Sequence, residues 1–238
     1  MARKAKRQKK APTAPPPRGT SDRDKATDAL MALLADHPFE DIGLAEVAGR
    51  AGLKLSQLRA EFGSVLSIYA AHVKDIDRAV LAGGDADMAQ ELAEEPARER
   101  LFDVLMRRIE ALAPYKEAVR SVMRSVRRDP ALALALNAMA VRSQRWMLEA
   151  AGINAAGPRG ALRAQGGALL FARVLSVWVD DDEEGLDRTM AALDRGLASA
   201  ERWDGFVGDL CAIPCALRGP RRRRRRPFDE GPAEADAA

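Results

Sequence analysis

The sequence predicts an all-α protein, and three observations carry that prediction. Alanine fills 46 of the 238 positions, while aromatic residues make up only 5%. Alanine loses no side-chain entropy in a helix, whereas strands draw on β-branched and aromatic side chains. Apolar residues also recur at 3.6-residue spacing along most of the chain, with no convincing alternation at a period of two. The architecture expected is a small three-helix unit followed by a larger helical body, with no internal repeat.

Each element has its own signal. Ala26, Ala29, Leu30, Leu33 and Leu34 fall at i, i+3, i+4, i+7 and i+8, so a first helix is predicted from about Ser21 to Asp36, stopped near His37-Pro38. Leu44, Val47 and Ala48 mark a short second helix, and Gly52 permits a tight turn after it. A third short helix spans Leu55 to Phe62, with Leu58 and Phe62 facing inward. Val65, Ile68, Tyr69, Val73, Ile76 and Val80 mark a longer fourth helix ending at Gly83-Gly84. After a polar stretch to Pro96, helices are predicted over Ala97–Ala113, Tyr115–Arg128, Pro130–Ala151 and Pro158–Val179. Pro114, Asp129-Pro130 and the Gly152–Gly157 loop punctuate them. Asp180–Glu184 leads into a last helix, Gly185–Arg202, striped by Leu186, Met190, Leu193 and Leu197.

Charge is distributed unevenly. The net charge of +3 and pI near 9.0 suggest a nucleic-acid partner. Residues 1–18 carry seven basic side chains and no acidic one, and residues 218–238 carry seven arginines against four acids. The two ends thus total +10, leaving residues 19–217 at −7. Residues 1–19 are basic and proline-rich, with too little apolar surface to offset the entropy of ordering, so a disordered arm is expected there. The organisation expected is arm 1–19, a helix-turn-helix unit 20–82, a helical body 83–202, and 203–238 as an amphipathic segment with a disordered Arg-rich tail. No apolar run approaches the ~18 residues of a membrane span, and none follows the basic start as a secretory signal would. Two cysteines make no disulfide framework, so a cytoplasmic location is expected.

Two short helices joined by Ala51-Gly52-Leu53, behind a longer helix, form a helix-turn-helix constellation. Ala48 lets the helices cross closely, Gly52 makes the turn, and Leu53 and Leu58 anchor it. Such a unit can lay its second helix in the major groove. The stretch DKATDALMALLADHPFEDIGLAEVAGRAGLKLSQLRAEFGSVLSIYAAHV resembles the DNA-binding domain of TetR/AcrR-type transcriptional regulators. The apolar first helix, Phe39, LAEVAGRAGL, Leu58, Phe62 and the Tyr69-bearing helix carry the resemblance, over roughly residues 21–82. ALLFARVLSVWVDDDEEGLDRTMAALDRGL is similar to segments of some regulators of that kind.

The resemblance implies a homodimer that binds a near-palindromic double-stranded DNA operator and releases it on binding an apolar small molecule, the mode of a repressor. Lys54, Ser56, Gln57, Arg59 and Ser64 are the candidate DNA contacts, with Gln57 suited to adenine and Arg59 to guanine. Leu105, Met106, Met123, Trp146 and Phe171 are candidates for an effector pocket. Gly167, Leu169, Leu175, Leu193 and Leu197 are candidates for a dimer face. The sequence departs from the family's pattern where phosphate contacts are usual: Glu61 lies in the end of the third helix, and Val65 replaces a lysine. Residues 19–78 hold seven basic and ten acidic side chains. Cations displacing counterions dominate non-specific affinity, so the arm is expected to supply phosphate contacts.

Other chemistry has little support. His37 and His72 fall in no cysteine or carboxylate pattern of ligand spacing, and Cys211 and Cys215 form no second pair for zinc. The acidic run 180–184 lacks calcium-loop spacing and reads as helix capping. No nucleophile elbow or glycine-rich phosphate loop is present, so neither catalysis nor a cofactor or metal is expected. Trp203, Phe206, Val207, Leu210 and Cys211 make one apolar face ahead of Arg221–Arg226, a pairing suited either to an anionic membrane surface or to packing on its own domain. Two alternatives to a regulator therefore stay open. One is a non-enzymatic lipid- or quinone-binding accessory protein of the same fold at a membrane, as in ubiquinone biosynthesis. The other is a structural interaction module.

Overall fold

The computed structural model describes residues 21–83, 95–183 and 185–200. The basic arm, the amphipathic face at 203–211, the Arg-rich tail and both cysteines lie outside the described residues. Within them all regular structure is helical.

Helix α1 (Asp22–Asp36) starts where Ser21 accepts the Asp24 N–H at 3.1 Å, with Asp22 and Asp24 complementing the dipole of its first turn. Pro38 forces His37 into an extended conformation and ends it. A 3-10 turn (Phe39–Asp41) leads to α2 (Leu44–Ala51). Gly52 closes α2 in the left-handed region at φ 67°, and Leu53 N–H bonds back to Ala48 O at 2.9 Å. α3 (Leu55–Glu61) and α4 (Val65–Ala82) follow, the latter capped by Ser64.

In the body, α5 (Ala97–Leu112) passes through a 3-10 turn at Ala113–Tyr115 into α6 (Lys116–Val126). α7 (Pro130–Ala150) starts at Asp129, whose carboxylate accepts the Ala131 and Leu132 N–H groups at 2.8 and 3.1 Å. Pro130 fits the first turn because its missing N–H would have no helical partner. α8 (Gly157–Trp178) is followed by a helical stretch, α9, over residues 187–200. The main departure from expectation is the 3-10 turn, which takes Ala113 and Tyr115 from the helices predicted on either side of Pro114.

One apolar core runs from Leu30, Leu34 and Leu58 through Ile68, Leu105 and Ile109 to Trp178 and Leu193. Each such leucine withdrawn from water contributes roughly 1.5–3 kcal/mol. Helix α1 packs on α2 and α6, and α4 lies against α5 and α7. Polar bonds fix the approach of α6: Ser121 donates to His37 O at 2.8 Å, and Ser125 Oγ accepts the Phe39 N–H at 3.0 Å. The hydroxyl of Ser125 also holds the Glu40 carboxyl below its ordinary value.

The acidic run before α9 has a structural task. Buried Asp181 accepts the Thr189 N–H at 2.9 Å and its hydroxyl at 2.7 Å. Burial pushes its carboxyl up, but these bonds and the Glu183 N–H outweigh it and hold it below 3.8. Among the described residues no three His, Cys, Asp or Glu side chains group to hold a metal, and no helix is long and apolar enough to cross a membrane.

Candidate nucleic-acid interface

Helix α3 is short, and its inner side is fixed by few residues. Leu58 and Phe62 are buried against Val47 and Ala48 of α2 and the α1 leucines in one core. Arg23 of α1 places its guanidinium 5.4 Å from the centre of the Phe62 ring. Leu55, Ser56 and Arg59 are exposed to solvent, with Lys54 exposed at the helix start.

The predicted base readers stand differently from one another. Lys54, Ser56 and Arg59 are outward and exposed. Gln57 is exposed too, but both ends of its amide are engaged: Oε1 accepts the Lys54 N–H at 2.9 Å and Nε2 donates to Asp22 at 3.0 Å. An adenine contact would have to displace both bonds, so this side chain is first a clamp between α3 and α1. Ser64 caps α4, its hydroxyl oxygen accepting the Ser67 N–H at 3.1 Å while its own N–H donates to Ser67 Oγ at 3.0 Å. Leu55 is an addition to the predicted set: at 55% exposure it is an apolar side chain at the leading end of α3, of the type that packs on a thymine methyl. The sequence carries no signal for it: Leu55, Leu58 and Phe62 fall at i, i+3 and i+7, one face by periodicity, and only the packing leaves Leu55 outside the core.

The expected effector residues do not form one group. Leu105 and Phe171 are buried, and Met106 and Met123 pack against the same core. Trp146 does not join them: it is 57% exposed, because α7 turns Ser143, Met147 and Leu148 inward instead. Beside that core lies a polar cluster that no motif announced. Arg108 of α5 is buried, ion-paired with Asp77 of α4 at 3.1 Å and stacked 5.0 Å from the Phe171 ring centre. Asp77 accepts the Ser143 hydroxyl of α7 at 2.6 Å, so one carboxylate ties three helices together. Burial lowers the guanidinium's pKa, partly opposed by Asp77 and Tyr69. The Tyr69 hydroxyl is pushed up to about 12 by its desolvated surroundings, against the pull of Arg108. The sequence signals this pair as well, since Asp77 and Arg108 occupy apolar-stripe positions beside Val73, Val80, Leu105 and Leu112.

The expected dimer residues also divide. Leu193 and Leu197 are core of this chain, because α9 packs through Thr189, Leu193 and Leu197 at i, i+4 and i+8. They are therefore not a free face. Gly167 abuts Gln144 of α7, where a β-carbon would lie 3.3 Å from Oε1, and Leu175 is half-buried. Leu169 is 54% exposed, in line with exposed Leu162 and Gly166 on the outer side of α8.

No protein-family model matches the sequence, and no curated protein matches it. Solved structures do. A TetR transcriptional regulator from Nitrosomonas europaea is 21% identical, with 75% of this chain and 97% of that chain covered at a TM-score of 0.58. A TetR transcriptional regulator from Rhodococcus sp. RHA1 is 19% identical, covering 75% of this chain and 95% of that chain at 0.53. With its α2–turn–α3 unit behind α1 and its larger helical body, the chain has the TetR-type regulator fold.

Proposed function

We propose that the chain is a DNA-binding transcription regulator of the TetR type. It acts as a homodimeric repressor and releases its operator on binding a small apolar effector. The observation that supports this most is α3 itself, whose apolar side is locked by Leu58 and Phe62 while Leu55, Ser56 and Arg59 project outward. Arg59 would pair with guanine, Leu55 would contact a thymine methyl, and Lys54 would meet phosphate. The unit is net acidic, so residues 1–18 would add the phosphate contacts that α3 and the start of α4 lack.

Dimerisation would use the outer row of α8, Leu162, Gly166 and Leu169, and set two α3 helices about one DNA turn apart. An effector with unequal affinity for two arrangements of α4 would shift the balance between them. The test is a footprint on DNA flanking the chain's own gene. A protected near-palindrome, abolished in Arg59→Ala with Leu55→Ala, supports the reading. Protection that is uniform along the DNA overturns it.

The accessory-protein reading keeps one support, the acidic balance of the unit together with the internal engagement of Gln57. Liposome flotation separates the two, since a regulator stays with the soluble fraction with or without residues 203–226.

A further inference from the structure

Outside the core, α4 and α7 leave a groove of about 540 Å³ between them, within the range of small-ligand sites. Its origin is legible in the residues. On α4 the positions facing α7 include two consecutive alanines, Ala70 and Ala71, which leave space where larger side chains would close it. On α7 the facing positions Met139, Arg142 and Trp146 fall at i, i+3 and i+7, one stripe of the helix. Phe62 and Val73 complete an apolar surface that Trp146 borders with its exposed ring.

The charges of the groove are unequal. Arg23, Lys74 and Arg142 line it, and among the described residues neither Lys74 nor Arg142 forms an ion pair. The two acids in the lining are Glu61 and Asp77, and Asp77 is already matched by buried Arg108. What remains is an apolar surface bordered by an excess of positive charge.

We propose that this groove is a binding site for an amphipathic anion, an apolar chain or ring system ending in a carboxylate or similar acid. The apolar part would lie on Ala70, Val73, Met139 and Trp146, and the acid would be held by Lys74 and Arg142. Of the expected effector residues only Trp146 borders this site, which does not include Leu105, Met106, Met123 or Phe171, and its binding does not depend on whether the chain recognises DNA. Because Arg23 and Phe62 share its walls with α7, an occupant touches the recognition unit and the body at once.

Trp146 reports directly on the site. Titrating the full chain with sodium decanoate, kept below its micellar range, is expected to shift tryptophan emission to the blue as the ring leaves water. The titration is made in Trp203→Phe, which leaves Trp146 and the buried Trp178, and the shift should be absent once Trp146→Phe is added. Decan-1-ol, with the same chain and no charge, should bind about tenfold more weakly, and Lys74→Glu with Arg142→Glu should weaken decanoate by a similar factor. Equal binding of the alcohol, unchanged affinity of the charge-reversed variant, or an emission that decanoate does not move would each overturn the proposal. An emission already blue-shifted without ligand and insensitive to decanoate, as if another part of the chain filled the groove, would overturn it too. A failed footprint leaves these outcomes unaffected, so the two readings stand or fall apart.

Discussion

The recognition unit and its junctions with the body are held together by different physics. Inside the unit, Leu30, Leu34, Val47, Ala48 and Leu58 form an apolar cluster. Toward the body, α4 is tied by Asp77 to Arg108 and Ser143, and the α1–α2 connection is tied by Ser121 and Ser125 of α6. Apolar burial is non-directional and keeps α3 seated through small shifts. Buried polar bonds are directional, and removing one partner leaves the other desolvated. The unit is thereby built to keep its internal shape, and the junctions to hold one arrangement or give way.

The largest effect should come from the ion pair. Arg108→Met strands the Asp77 carboxylate, and urea unfolding should show destabilisation of about 3–5 kcal/mol. Adding Asp77→Leu should recover most of that, because an apolar pair replaces an ionic one without leaving a buried charge. A tolerated single variant would mean that the junction is not the directional contact described. In the unit, Leu58→Ala should cost roughly 2–5 kcal/mol by opening a cavity. Its near-complete removal by Leu58→Met, a volume-conserving change, would sharpen the contrast with Arg108.

Ser121→Ala deprives His37 O of its donor, and destabilisation of about 1–3 kcal/mol is expected in the same urea titration. Asp181→Asn should loosen α9 by about 1–2 kcal/mol through the Thr189 bonds. Its sign with pH is fixed: a carboxyl held below 3.8 in the folded chain contributes stability above that value, which disappears as pH falls through the lowered one. A wild-type chain whose acid transition is unaltered by Asp181→Asn would contradict that role. The smallest change is Gly52→Ala. No atom obstructs a β-carbon there, so only the left-handed backbone at φ 67° opposes it, at about 1–2 kcal/mol in a thermal melt.

Helix positions are largely legible in the sequence because their ends are chemical. Ser21, Pro38, Gly52, Gly83 and Asp129-Pro130 each stop or start a helix by a local rule. The faces of the body helices are less so. The first half of α7 is alanine and leucine on every side, so its stripe has no fixed phase, and Trp146 fits an inward position by sequence yet lies on the surface. Leu193 and Leu197 fit either a partner or the chain's own core, and only the packing of α9 decides for the core. Gln57 carries a local cue, its place three residues after Lys54, but its bond to Asp22 joins positions 35 apart, which no local rule anticipates. The buried Asp77–Arg108 pair is marked by two charges on apolar stripes, a pattern that points to a partner without naming it.

In the proposed regulator, α3 carries the sequence preference and residues 1–18 carry phosphate contacts. A salt titration of the footprinted duplex, and of a scrambled one, with the intact chain and with a chain lacking residues 1–18 tests this most directly. Removing one phosphate contact should reduce the slope of log K against log salt by about 0.9. The prediction is a flatter slope and weaker binding without the arm, with the preference for the footprinted duplex retained. A preference that disappears together with the arm would contradict it, because the recognition would then not reside in α3.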